Sequence, residues 1–267
     1  MDFFDKLSLP HLRQAMLLKR REATLEQFQI SLAGLTVEVR SRFPLARAFC
    51  ADYLAESTGI HFSAEAVESE MTELLRAGDA SDAPHAELLS LHRAIAEQLP
   101  QFRRFLVHGA AICWRGQGLL FLAPSGTGKS THIRLWRECL GDGVGIVNGD
   151  KPIIDVSGAV PTVCGTPWAG KEYWQRNISV PLGAICILHR GENDTIRRTS
   201  PGEQLTALLQ QVYRPGDANA LEQTLTLADR VFRSVPLYVL SCTPTENAVR
   251  TAFPALTGEP YPGGDTQ

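Results

Sequence analysis

Residues 28–41, FQISLAGLTVEVRS, alternate apolar and polar positions on both sides of a glycine. That period of two predicts a small β-hairpin. LARAFCADYLAES has helical spacing, and GIHFSAEAVESEMTELLRAG reads as a short strand and then a helix, with Ser63 as its N-cap and Gly78 at its end. GDASDAP is a turn-rich break. HAELLSLHRAIAEQLPQF then predicts an amphipathic helix with Leu88, Leu91, Ile95 and Leu99 on one stripe.

The pattern changes near residue 102. FLVHGAAICWRGQGLLFLAPSGTGKS holds two apolar runs separated by the turn RGQG, and THIRLWRECLGDG reads as a helix closed by Gly141. VGIVNGDKPIIDVSGAVPTVCGTPW contains three short strands and two turns. LGAICILHRGENDTIRRTS reads as a hairpin with an apolar strand, a GEND turn and a basic strand. Helices are expected at Pro201–Tyr213, Asn219–Arg233 and from Thr245, with the strand PLYVLSC before the last. The alternation predicts a mixed-sheet α/β core. The expected organisation is an α+β region over 1–100, a core domain over 101–255 and a flexible tail over 256–267.

Composition narrows the function classes. The 267 residues are 44% hydrophobic with a net charge of −3, which gives no general attraction to nucleic acid or anionic membrane. No apolar run approaches the ~20 residues of a membrane-spanning helix. The opening stretch MDFFDKLSLPHLRQAMLLKRR lacks the layout of a signal peptide, so a cytoplasmic location is expected. The six cysteines form no C-x-x-C pair and no zinc-ligand spacing, and they read as buried free thiols.

The candidate chemistry lies in FLAPSGTGKSTH, Phe121 to His132. An apolar run enters a glycine-rich turn that opens a helix, the layout of a phosphate-binding loop. Gly126 and Gly128 free the backbone to turn N–H groups inward, and the helix N-terminus adds partial positive charge. The expected nucleotide-binding residues are Pro124, Ser125, Gly126, Thr127, Gly128, Lys129, Ser130 and Thr131. Lys129 would reach the β- and γ-phosphates and Ser130 would hold Mg²⁺. The first position of the standard loop is a glycine and here is Ala123, which adds one methyl group.

The APSGTGKST centre with its flanks resembles the HPr kinase/phosphorylase family and its relative, phosphoenolpyruvate carboxykinase. VHGAAICWRGQG carries a His-Gly about twenty residues before the lysine, as that kinase family does. VGIVNGDKPII follows the loop helix with a strand ending in an acidic residue, and CGTPWAGKE looks like a loop of bacterial HPr-kinase-like proteins. The resemblance spans roughly residues 102–250. The N-terminal hundred residues do not match the N-terminal domain of that kinase, and are read as a candidate recognition module.

The resemblance implies an ATP- and Mg²⁺-dependent kinase that phosphorylates a hydroxyl, a serine or a similar group, on a peptide, protein or small molecule. It implies Ser130 and Asp150 as metal ligands and His108, Lys129 and Asp150 as catalytic residues. The family's paired aspartates are Gly149-Asp150 here, which removes one carboxylate and leaves His108 as the candidate base. Trp168, Lys171 and Glu172 read as an exposed substrate loop. Arg197 and Arg198, with Arg190 as a further candidate of the same kind, could approach the transferring phosphoryl group. His132 and His189 read as structural. A homo-oligomer is compatible with the chain. A nucleotide-binding regulator without catalysis is the alternative. A carboxykinase is disfavoured because the chain is short and no His/Lys pair accompanies Asp150 in the sequence.

Overall fold

The computed structural model describes residues 25–262. The opening stretch assessed for a signal peptide falls outside them over residues 1–24, as does the end of the expected tail, 263–267. The chain divides into two compact units between Gln98 and Leu99.

The first unit contains strands β1 (Glu26–Leu32) and β2 (Leu35–Ser41), helix α1 (Pro44–Phe49), strands β3 (Leu54–Ala55) and β4 (Phe62–Glu65), and helices α2 (Glu68–Ala77) and α3 (Ala83–Gln98). The expected hairpin is β1 and β2, antiparallel in a sheet of order β3-β1-β2-β4. Phe28, Ile30, Leu32, Val37 and Val39 are buried, as are Leu88, Leu91 and Ile95 of α3. Asp82 caps α3 by accepting from the His85 N–H at 3.0 Å.

Two local expectations fail here. Ser63 is not an N-cap. It lies inside β4 with its hydroxyl donating to Glu38 at 3.1 Å, and α2 begins only after Val67. The alternating burial of Phe62–Glu65 makes this stretch a strand paired with β2, so the helix starts later. The helix in LARAFCADYLAES stops at Phe49, because Leu54 and Ala55 pair with Ile30 and Gln29.

The second unit contains β5 (Arg104–Leu106), β6 (Gly109–Trp114), β7 (Gln117–Leu122), α4 (Lys129–Leu140), β8 (Val144–Asn148), β9 (Ile153–Asp155), β10 (Thr162–Cys164), β11 (Ser179–Arg190), β12 (Thr195–Arg198), α5 (Leu205–Leu209), α6 (Ala218–Ser234), β13 (Leu237–Cys242) and α7 (Glu246–Thr257). Its mixed sheet runs β5-β9-β10-β11-β7-β6-β8, with β13 on the free edge of β11 and β12 outside β13. The mixed-sheet α/β expectation agrees with this sheet. Among the described residues no helix is long and apolar enough to cross a membrane.

β7 explains why GLLFL is a continuous apolar run rather than an alternating one. Leu120 and Leu122 pack with Val231 and Phe232 of α6, whereas Leu119 and Phe121 pack with Trp136 of α4 and Phe253 of α7. Both faces of the strand are covered, so both parities must be apolar. Each such side chain contributes on the order of 1.5–3 kcal/mol on burial. The RGQG turn joins β6 to β7 with Arg115 at φ 47° and Gly116 at φ 83°, the left-handed pair that a two-residue hairpin requires.

The GEND hairpin does not form. β13 inserts between β11 and β12, parallel to the first and antiparallel to the second. Residues 184–188 of β11 are buried and need a partner on each edge; apolar β13 supplies one, and basic β12 takes the solvated rim. The expected Pro201–Tyr213 helix shrinks to Leu205–Leu209, because Val212 bridges Val107 and the Tyr213 N–H donates to Leu106 O at 2.9 Å. Leu256 and Thr257 of the expected tail still belong to α7. Tyr261 sits edge-on to Phe253, and Glu259 accepts from Trp114 Nε1.

Candidate functional site

β7 runs parallel to β11 and ends at Leu122 opposite Ile187, β11 continues to Arg190, and the loop 123–128 leaves β7 to start α4. Gly126 (φ 76°) and Gly128 (φ 117°) are both left-handed. A Cβ on either would meet no neighbouring atom within 4 Å, so the glycines are required by conformation and not by space. Ala123 is 1% exposed and belongs to the apolar cluster around Phe121 and Ile133. Its methyl group packs in the core.

Lys129 is the first residue of α4 and is 7% exposed. Its Nζ donates to Ala123 O at 2.7 Å. Burial lowers its pKa to about 8, against the charge of Asp150, which raises it. Ser130 and Thr131 follow on the same turn, both partly exposed. Arg190, at the end of β11, donates to the carbonyls of Gly126 and Thr127, the latter at 3.3 Å. The loop is thus held from within by one buried and one exposed cation.

Asp150 follows β8 and His108 precedes β6, neighbouring antiparallel strands. The Gly109 N–H donates to Asp150 O at 2.8 Å, and His108 Nε2 lies 3.3 Å from Asp150 Oδ1. Lys151 Nζ donates to Asp150 Oδ2 at 3.0 Å. Burial pushes the Asp150 carboxyl up, but the His108 hydrogen bond and the adjacent Lys151 outweigh it and hold the pKa down to about 2. A His/Lys pair therefore does accompany Asp150, contrary to the sequence expectation. Lys151 was its immediate neighbour in sequence, but His108 reaches the pair only through the sheet.

Asn148 builds the turn that carries Asp150. Fully buried, it accepts the N–H groups of Asp150 at 2.9 Å and Lys151 at 2.7 Å, and donates to Thr166 O at 2.9 Å. This ties the loop 165–172 back over Asp150. A Cβ on Gly149 would come within 2.8 Å of Ala169 O, and one on Gly170 within 3.1 Å of the Asp150 Cβ. The position of the missing carboxylate is closed by backbone.

The expectation of an exposed Trp168 is wrong. Trp168 is 8% exposed because Asn148 and Thr166 pull its loop inward, whereas Gly170, Lys171 and Glu172 reach solvent. Arg197 is exposed and paired with Glu203 at 2.9 Å, and Arg198 is exposed on the same edge strand. The arginine that meets the glycine-rich loop is instead Arg190. His132 is buried and accepts from Trp136 Nε1 at 3.0 Å; burial takes its pKa down to about 4, a structural role as expected. His189 is exposed beside Arg190.

Two cavities flank the loop. One of about 750 Å³ is bounded by Ser125–Thr127, His189, Arg190 and the segment 202–211. The other, about 330 Å³, lies along α4 at Gly128, Thr131 and Leu135 and is closed by Thr243 and Pro244. The larger one includes Gln211, which the sequence gave no reason to single out.

The fold and site together define a mixed-sheet α/β protein with a glycine-rich strand–loop–helix turn and an aspartate held between His108 and Lys151. Residues 79–248 match the family model described as "ScmC: SynChlorMet cassette protein ScmC", and the chain belongs to that family. No curated protein matches it. Among solved structures, the Hpr(Ser) kinase/phosphatase from Coxiella burnetii aligns over 57% of this chain and 93% of that one, at 14% identity and a TM-score of 0.33. At that similarity it transfers no activity to this chain.

Proposed function

We propose that the chain is an ATP-dependent phosphotransferase that moves the γ-phosphoryl group to a hydroxyl. The observation that carries this is the buried Lys129 at the helix N-terminus, behind two left-handed glycines and held on the loop carbonyl of Ala123 at 2.7 Å. The APSGTGKST motif supports the same reading.

Phosphoryl transfer needs positioning and charge neutralisation more than covalent chemistry. The amides of residues 125–130 and Nζ of Lys129 would bind the phosphates, and Lys129 would leave Ala123 O to do so. The Asp150 carboxylate, with Lys151 leaving its Oδ2, and the Ser130 hydroxyl would supply the hard oxygens that Mg²⁺ takes. Bound there, Mg²⁺ would supply charge neutralisation for the phosphate oxygens. With its Nε2–H directed at Asp150, His108 keeps Nδ1 as the atom that accepts the hydroxyl proton. The nucleoside would extend along α4 into the 330 Å³ cavity.

The test is calorimetric titration of Mg–ATP into the full chain, with Lys129→Ala beside it, followed by ADP release with hydroxyl acceptors. Micromolar binding lost in the variant is expected, and absence of binding to the wild type sinks the reading. One observation favours a second reading, a nucleotide-binding regulator. Backbone fills the place of a second carboxylate at Gly149. Tight Mg–ATP binding with no ADP release under any acceptor would select it.

A further inference from the structure

The turn 191–194 joins β11 to β12 and ends in Asp194. Asp194 Oδ1 accepts the Thr243 N–H at 2.7 Å, and the Thr243 hydroxyl lies 3.1 Å from each carboxylate oxygen. Oδ2 also accepts from Asn247 Nδ2 at 2.8 Å. Main chain joins the same two segments, since the Gly191 N–H donates to Cys242 O at 3.1 Å. Thr245, the residue before α7, makes no side-chain capping bond to that helix; its hydroxyl lies 2.8 Å from that of Thr243. The entry to α7 is therefore held by a carboxylate from another turn and not by its own cap. Bonds to an ionised acceptor are roughly twice as strong as neutral ones.

The segment that Asp194 holds is one wall of the cavity of about 330 Å³. Thr243 and Pro244 line it together with Gly128, Thr131 and Leu135. Arg190, immediately before the turn, lines it too and donates to the carbonyls of Gly126 and Thr127. One short stretch of chain thus grips the glycine-rich loop through Arg190 and the far wall through Asp194. Asp194 is not part of the lining and acts through Thr243. A wall fixed before a ligand arrives spares that ligand the cost of ordering it.

We infer that Asp194 is a positioning residue for the nucleoside half of the nucleotide site. It holds Thr243 and Pro244 in place as the wall against which the base and sugar lie, and it leaves the phosphates to the glycine-rich loop. The inference rests on the phosphotransferase reading and its placing of the nucleoside along α4. Asp194 then adds affinity for ATP on which tripolyphosphate, having no nucleoside, cannot draw.

Calorimetric titration of Mg–ATP and of Mg–tripolyphosphate into the full chain separates the two halves. The wild type should bind Mg–ATP at least ~10-fold more tightly than Mg–tripolyphosphate. In Asp194→Ala the ATP affinity should fall about 10-fold as the wall loosens, while tripolyphosphate affinity stays within about 2-fold. Asp194→Asn still accepts the Thr243 N–H but turns an amide donor toward Asn247, so it should recover only part of the ATP affinity. Asn247→Ala is an exposed change outside the cavity lining that removes one bond to the carboxylate. It should shift ATP affinity the same way by a smaller factor, and it carries the test should Asp194→Ala fail to fold. Unchanged ATP affinity in the variants overturns the inference. So does an equal loss for both ligands, which would make Asp194 a support of the loop or of the fold at large. Equal binding of the two ligands by the wild type refutes the nucleoside wall and leaves the phosphate cradle standing. A wild type that binds neither ligand sinks the phosphotransferase reading, and the inference with it.

Discussion

His108 and Asp150 meet at 3.3 Å although 41 residues of chain separate them, because the Gly109 N–H is bonded to the Asp150 carbonyl at 2.8 Å. The pair is fixed by main chain before any side chain is chosen. Lys151 completes it from the other carboxylate oxygen.

The first consequence is an acid-stability signature. The folded pKa of Asp150 is down from 3.8 to about 2. A depressed carboxyl contributes stability that is whole above about pH 4 and is lost as the pH falls through 2. With the side chain 28% exposed, the contribution is on the order of 1–2 kcal/mol after solvent screening. The wild-type Tm should fall more steeply between pH 4 and 2 than that of Asp150→Asn. Parallel curves would show that the pair holds no such energy.

Lys129 gives the opposite sign. Its folded pKa, about 8, lies below its ordinary value, so the unfolded chain keeps the proton longer and stability rises as pH climbs from 8 toward 10. A bound polyphosphate would favour the charged form and return the proton. Calorimetry of Mg–ATP at pH 8.5 in buffers of different ionisation enthalpy should register an uptake of roughly 0.7 proton. In Lys129→Arg, which stays charged, uptake should vanish while weaker binding remains. Zero uptake in the wild type would separate Lys129 from the phosphates.

Gly149 provides a test of the missing carboxylate. In Gly149→Asp the new Cβ would stand 2.8 Å from Ala169 O, and backbone must move to admit it. A loss of about 1–3 kcal/mol in stability is expected, as for overpacking elsewhere. ADP release should not rise. A stable Gly149→Asp protein with faster turnover would mean that the loop 165–172 yields and that the second carboxylate was simply absent.

Much of this was legible in the sequence, and what was not follows a common cause. The glycine-rich loop, its flanking strand and helix, and the β6–β7 turn are local, and local patterns of glycine and apolar residues specify them. The insertion of β13 between β11 and β12 depends on which edge of a buried strand finds an apolar partner, and no window of sequence holds that choice. Trp168 read as exposed because glycines surround it, yet Asn148 pulls its loop under through Thr166.

Arg190 is the residue whose role the structure enlarges most. It lines both cavities and binds two loop carbonyls, so it couples the loop to the end of β11. Removing an exposed side chain there should leave the core intact, with Tm changed by no more than ~2 °C. The loop itself should loosen. Hydrogen exchange at the amides of residues 125–128 should quicken in Arg190→Ala, and Mg–ATP affinity should fall about 10-fold as the cradle loses preorganisation. Arg190→Lys should recover only part of this, since one ammonium does not reproduce the two-nitrogen contact. Unchanged exchange and unchanged affinity in Arg190→Ala would reduce the contact to a surface ornament, and the loop would then owe its shape to Gly126, Gly128 and Lys129 alone.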